Sequence, residues 1–237
     1  MPAAEPRADE YGRPIGPPLP EWVPARRPGP VTLEGRYCRI EPLDPTRHAD
    51  QLFAEFAKTD PGDWTYMSVG PFDTREAYRE WAEGAAASTD PRFYVVIDSK
   101  SGDALGTASL MRQDPANGVV EIGNIMYSRR VQRTPIATEA QYLVMQYVFD
   151  ELGCRRYEWK CDSLNEPSRR AAGRLGFTYE GTFRQAVVYK GRSRDTAWFS
   201  IIDGEWPRMR DAFEAWLAPE NFDEEGRQKQ SLSRSGR

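Results

Sequence analysis

Residues 119–177 read VVEIGNIMYSRRVQRTPIATEAQYLVMQYVFDELGCRRYEWKCDSLNEPSRRAAGRLGF, and this stretch decides the fold. It predicts a strand ending near Tyr127, a turn, a helix, a second strand over Tyr157 to Asp162 and a second helix start. Thr134-Pro135 reads as N-cap and first helical residue, because proline there gives up a donor that would be unpaired anyway. Ile136, Ala140, Leu143, Val144, Tyr147 and Val148 recur at helical spacing, and Gly153 stops the run. Asn165 then caps a short helix that ends at Gly176. A strand-to-helix turn with free amides beside Arg129, Arg130 and Arg133 is a ready anion site.

Outward from this segment, Val31 to Leu43 reads as a first strand with a turn at Glu34-Gly35, and Asp44-Pro45 opens a helix. His48, the single histidine, lies on that helix beside Leu52, Phe53 and Phe56, a setting more typical of a satisfied residue than of a catalyst. The stretch 60–72 is a loop dense in turn formers and aromatics, Trp64 and Tyr66 among them. Thr74 to Ser88 reads as a helix, and 92–97 with 104–112 as strands about Ser101-Gly102-Asp103. Beyond the segment, Thr178 to Lys190 and Arg194 to Asp203 form a hairpin around Gly191-Arg192, and Glu205 to Trp216 a last helix. Residues 1–30 are proline-rich, expected as an extended arm that is either disordered or pinned by Trp22 to the domain or a second subunit. Residues 218–237 are polar and expected to be disordered, leaving one domain over 31–217.

Composition bounds the function. A net charge of −4 over 237 residues argues against a general nucleic-acid binder. No apolar leader and no window of about 18 apolar residues is present, so a cytoplasmic protein off the membrane is expected. Cys38, Cys154 and Cys161 are scattered and odd in number, supporting neither a disulfide framework nor a metal site. Neither GxGxxG nor GxxxxGK[ST] occurs, which disfavours nucleotide-binding folds.

Glu121-Ile122-Gly123 on a strand, QRTPIATEA at 132–140, NEPSRRAAGRLGF at 165–177, Glu180-Gly181, Arg194-Asp195 and Glu205-Trp206 together resemble the GNAT N-acetyltransferase superfamily. The branch is the one similar to ribosomal-protein N-terminal acetyltransferases, and the likeness runs from about Leu33 to Trp216. It implies an α/β fold: a mostly antiparallel twisted sheet splayed between its two middle strands and flanked by helices. It also implies acetyl-CoA as co-substrate and direct attack by an amine acceptor, a protein N-terminus or a small amine. A possible homodimer goes with it. A different acyl group, or a binding module without turnover, are the alternatives.

By the same resemblance the pantetheine arm runs along Ile125, Met126 and Tyr127. Its phosphates meet the amides of Gln132, Arg133, Thr134, Pro135, Ile136, Ala137 and Thr138, with charge from Arg129 and Arg133. Pro135 stands where the family has a glycine, which removes one amide and stiffens the turn. Asn165 and Ser168 match an Asn-x-x-Ser pair, the asparagine touching pantetheine and the serine bonding the departing sulfur. The tyrosine acid of many relatives is replaced by Ala172, and a strand glutamate used as base elsewhere falls near Val187, an apolar residue. Glu121 is then the candidate base, its pKa open to elevation by burial. Trp64, Tyr66 and Asn124 are the candidate acceptor-pocket residues.

Overall fold

The computed structural model describes residues 7–232. Two-residue strands β1 (Arg7–Ala8) and β2 (Pro14–Ile15) pair as a small ribbon in the N-terminal arm. The body is an eight-stranded sheet with helices on both faces. Its strands are β3 (Leu33–Glu34), β4 (Cys38–Pro42), β5 (Arg92–Asp98), β6 (Ala104–Asp114), β7 (Val119–Tyr127), β8 (Arg156–Asp162), β9 (Thr178–Tyr189) and β10 (Arg192–Ile202). Their order is β3-β4-β5-β6-β7-β8-β10-β9, and β7–β8 is the one parallel pair among neighbours. A parallel pair needs a crossover, and helix α3 (Pro135–Gln146) supplies it, extended by a widened turn Tyr147–Glu151.

Helices α1 (Pro45–Phe56) and α2 (Arg75–Ala87) cover β4–β6 on one face. On the other face α3, α4 (Glu166–Arg174) and α5 (Trp206–Leu217) pack across the sheet, β4 included, forming the larger core. Three of the start signals in the sequence are realised as side-chain caps: Asp44 accepts from the Thr46 amide, Thr74 from Ala77 and Asn165 from Ser168. The β9–β10 hairpin turns at Lys190 (φ 47) and Gly191 (φ 71), the left-handed pair that a two-residue hairpin demands.

Parallel pairing of β7 with β8 runs from Val119↔Arg156 to Ile122↔Trp159 and stops there. β7 goes on to Tyr127 beside β6, and β8 goes on to Asp162 beside β10, so the two part. The cause is local. The β6–β7 register shifts between Ser109↔Gly123 and Thr107↔Met126, and Asn124 sits in the bulge at φ 50. Its side-chain amide donates to Ser109 Oγ at 2.8 Å, which holds the bulge in place.

In the N-terminal arm the Trp22 alternative is the one seen, while the C-terminal segment packs on the domain where composition suggests disorder. The Trp22 indole donates to the Ala116 carbonyl and lies against Gly118, where a Cβ would fall 2.5 Å from the ring. Arg155 stacks over that ring, and the amides of Ala25 and Arg26 bond the carbonyls of Pro115 and Leu152. The arm is thus tied to its own domain from Trp22 onward. At the other end Asn221 donates to the Trp216 carbonyl, Trp216 donates to Gln228, and Leu232 is buried. Few apolar residues suffice there, because α5 leaves the Trp216 indole to be covered. Residues 1–6 and 233–237 of these two segments lie outside the described residues. No described helix is long and apolar enough to cross a membrane.

Candidate active site

The turn that follows β7 begins with Ser128, whose carbonyl takes the amides of Val131 and Gln132, while the Thr134 amide returns to Val131. Arg133 adopts φ 63, a left-handed conformation that turns the chain into α3. Thr134 makes no side-chain cap, and its hydroxyl instead donates to the Val131 carbonyl at 2.7 Å. Pro135 contributes no donor. The amides of Arg133, Ile136, Ala137 and Thr138 therefore have no partner outside α3 among the described residues. Two of the amides expected to hold phosphate, Gln132 and Thr134, are consumed within the turn itself. The dipole of a twelve-residue helix adds to what remains.

The side chains sort differently from their positions in sequence. Arg129 pairs with Asp63 at 2.8 Å, and Arg130 with Asp103 at 2.7 Å, near Glu55 and Asp98. Arg133 alone of the three carries no ion pair among the described residues. Gln132 folds back to donate to the Tyr127 carbonyl at 2.9 Å. Thr138 is buried and accepts from Arg174, and Ile136 packs into the larger core, so both offer only backbone to the turn. Tyr127 accepts at its hydroxyl from Gln141. Met126 faces the α1–α2 side and Ile125 the larger core, leaving the 123–127 backbone open where β8 has diverged.

At the opposite lip, Asn165 caps α4 through the Ser168 amide at 3.1 Å. Ser168 Oγ accepts from the Trp159 indole at 3.0 Å. Burial pushes the Cys161 thiol up, so Cys161 is inert packing. The indole takes one lone pair of Ser168 and leaves its hydroxyl proton to donate.

Glu121 is buried between two cations: Oε2 lies 2.9 Å from Lys160 Nζ and 3.2 Å from Arg112 Nε. These are charge contacts, since that oxygen has no well-aligned hydrogen bond. Burial raises its pKa while Lys160 opposes the rise. Lys160, itself buried, also meets Glu158 at 2.6 Å and lies 3.8 Å above the Trp198 ring. The pattern of charges on alternate residues of β8 could have announced this network, but not its closure onto Glu121.

Between α1, α2 and the end of β7 lies a cavity of about 550 Å³, with Trp64, Asn124 and Met126 in its wall. Tyr66 is not part of that wall. Its hydroxyl donates to the Leu164 carbonyl at 3.1 Å, tying the 60–72 loop to the β8–α4 connection. The same loop is held by Lys190, which donates to the carbonyls of Trp64 and Gly70, and by Arg192, which donates to Thr65. His48 is far from free: Nδ1 accepts from the Asp44 amide at 3.1 Å and Nε2 faces Glu41 at 3.2 Å.

Comparisons with known proteins identify the family and the fold. Residues 38–178 match the family model described as an acetyltransferase (GNAT) domain. YdaF of Bacillus subtilis, provisionally named a ribosomal N-acetyltransferase, is 27% identical over 70% of this chain and 90% of its own. A crystal structure of a GCN5-related N-acetyltransferase from Brucella melitensis superposes with a TM-score of 0.91 at 52% identity, covering 92% of this chain and 99% of that one. The ribosomal-protein-S5-alanine acetyltransferase of Vibrio fischeri shares the fold, with a TM-score of 0.60 at 18% identity. The family model spans more than half of the chain, which belongs to the GNAT family of N-acetyltransferases.

Proposed function

We propose that this chain transfers an acetyl group from acetyl-CoA to a primary amine by direct attack within a ternary complex. The observation that carries the reading is the parting of β7 from β8 next to an α3 terminus that no side chain caps. The free first-turn amides and the unpaired Arg133 suit a pyrophosphate. The 123–127 backbone offers hydrogen bonds to a pantetheine arm lying as a pseudo-strand, and to a thioester carbonyl as it gains charge. When bound, acetyl-CoA supplies an activated acyl group on a thiol leaving group.

The remaining roles fall to side chains on either side of the parting. Ser168, polarised by the Trp159 indole, donates to the leaving sulfur. Asn165 fixes the helix turn that carries it. Glu121 accepts the ammonium proton directly or through water, its elevated pKa suiting the task and Lys160 keeping it charged until then. The N-terminal residue of a protein is one acceptor the resemblance favours, and a small amine is the other.

Titration calorimetry with CoA tests the reading. Arg133→Glu is expected to weaken CoA by more than tenfold, since it reverses the one unpaired charge at the turn. Unchanged affinity overturns the proposed phosphate site.

A further inference from the structure

We infer that the cavity between α1, α2 and β7 receives a bulky, largely apolar body of the acceptor amine, one that also carries a hydrogen-bond-accepting atom. This rests on the acetyl-transfer reading above and names its substrate class. Three observations carry it. The cavity, about 550 Å³, falls within the range of small-molecule sites, and the methyl of an acetyl group would leave most of it empty. Its wall is aromatic and thioether-rich, with Phe56, Trp64, Trp81, Phe93, Met111 and Met126, and Glu80 as its one charged member. Those rings meet edge to face in two pairs, Trp64 on Phe56 and Trp81 on Phe93 at 5.5 Å.

The third observation is chemical. Tyr78 lines the same wall, is 1% exposed, and its hydroxyl has no hydrogen-bond partner. Burial drives its pKa upward, so the phenol stays protonated and keeps a donor just behind the wall, within a small turn of the ring from the cavity. A buried, unsatisfied donor is costly for a fold to keep without use. A ligand atom that accepts its proton would satisfy it. Asn124 and Met126 belong both to the wall and to the open end of β7, so an amine whose body fills the cavity has its nitrogen beside the parted strands.

The test compares acetyl-CoA turnover on ethylamine, phenethylamine and 3- or 4-hydroxyphenethylamine, with direct binding of each amine followed by tryptophan fluorescence. The phenethylamines are expected to exceed ethylamine in kcat/KM and in affinity by about tenfold or more. Tyr78→Phe should abolish the advantage of the ring oxygen while leaving the melting temperature unchanged or higher. Gly84→Phe places a ring at the cavity wall, in a helix position where a Cβ meets nothing within 4 Å. It should fold and lower the phenethylamine-to-ethylamine ratio about tenfold. Equal use of all amines, or ratios untouched by both variants, overturns the inference. So does a wild-type preference for octanoyl-CoA over acetyl-CoA that Gly84→Phe removes, because the cavity would then hold the donor's chain. CoA that neither binds nor turns over defeats the proposed function instead, and the amine-binding arm still decides the cavity's role.

Discussion

At the scale of single residues, chemistry depends on which lone pairs and charges the fold has already spent. Ser168 has one lone pair taken by the Trp159 indole and its proton left to donate, so Ser168→Ala should lower kcat by about tenfold. The affinity for CoA should change much less, and an unaltered kcat in a pre-steady-state assay would refute the role. His48 shows the opposite case, a residue the fold uses up. Its Nδ1 accepts from the Asp44 amide, so the neutral ring is the form that fits. Its pKa is lowered, chiefly by burial, with Glu41 opposing. The unfolded chain therefore binds the proton more tightly, and this contribution to stability is lost as pH falls below about 6.5. Urea midpoints measured between pH 7.5 and 5 should fall for the wild type and fall less for His48→Gln. His48 could be set aside from sequence alone, as a lone histidine beside Leu52 and Phe56; the partners that neutralise it could not be named.

At the scale of elements, the α3 start is read from Thr134-Pro135, but what anchors the helix lies one turn further on. Glu139 is buried and accepts three successive amides, Arg36 at 2.9 Å, Tyr37 at 2.6 Å and Cys38 at 2.7 Å. It thereby clamps the β3–β4 turn to the helix that heads the proposed phosphate site. Gly35 is required by the same clamp, since a Cβ there would lie 2.6 Å from the Glu139 carboxyl carbon. Glu139→Ala strands three amides at once and should cost roughly 3 kcal/mol or more in chemical denaturation. A loss below about 1 kcal/mol would show that water replaces the carboxylate. Glutamate in a helix pattern reads as solvent-facing, and nothing in the 3.6-residue period betrays that this one faces in.

At the scale of the whole molecule, the termini brace the domain. Trp22 joins the arm to the turn that precedes β7, and residues 218–232 fold back over α5. Trp22→Ala should reduce stability by about 2 kcal/mol, less than a fully buried tryptophan would, because the ring is only half-buried. The melting temperature of the purified chain checks this, and an unchanged value would mean the arm is passive. The 60–72 loop is braced as well, by Lys190 and Arg192 from the hairpin tip and by Arg129 from the α3 turn. The proposed acceptor side and the proposed donor side of the site are therefore mechanically joined.

The local code of this chain was sufficient for its main strands, its helix starts and the strand–helix–strand run of the crossover, whereas the opening of the sheet followed only from the family resemblance. Those features depend on neighbours within a few residues: proline after a cap, a period of 3.6 or 2, a left-handed turn. The occupancy of each candidate group was decided only in three dimensions. Arg129 and Arg133 look alike in sequence, yet Asp63, brought from a distant loop, neutralises one and leaves the other. Glu121 and Lys160 met because two parallel strands came into register, and Tyr78 was left with an unpaired hydroxyl because helices and sheet closed around it. Pairing energies of this kind arise between residues far apart in the chain, which is why no linear pattern announces them.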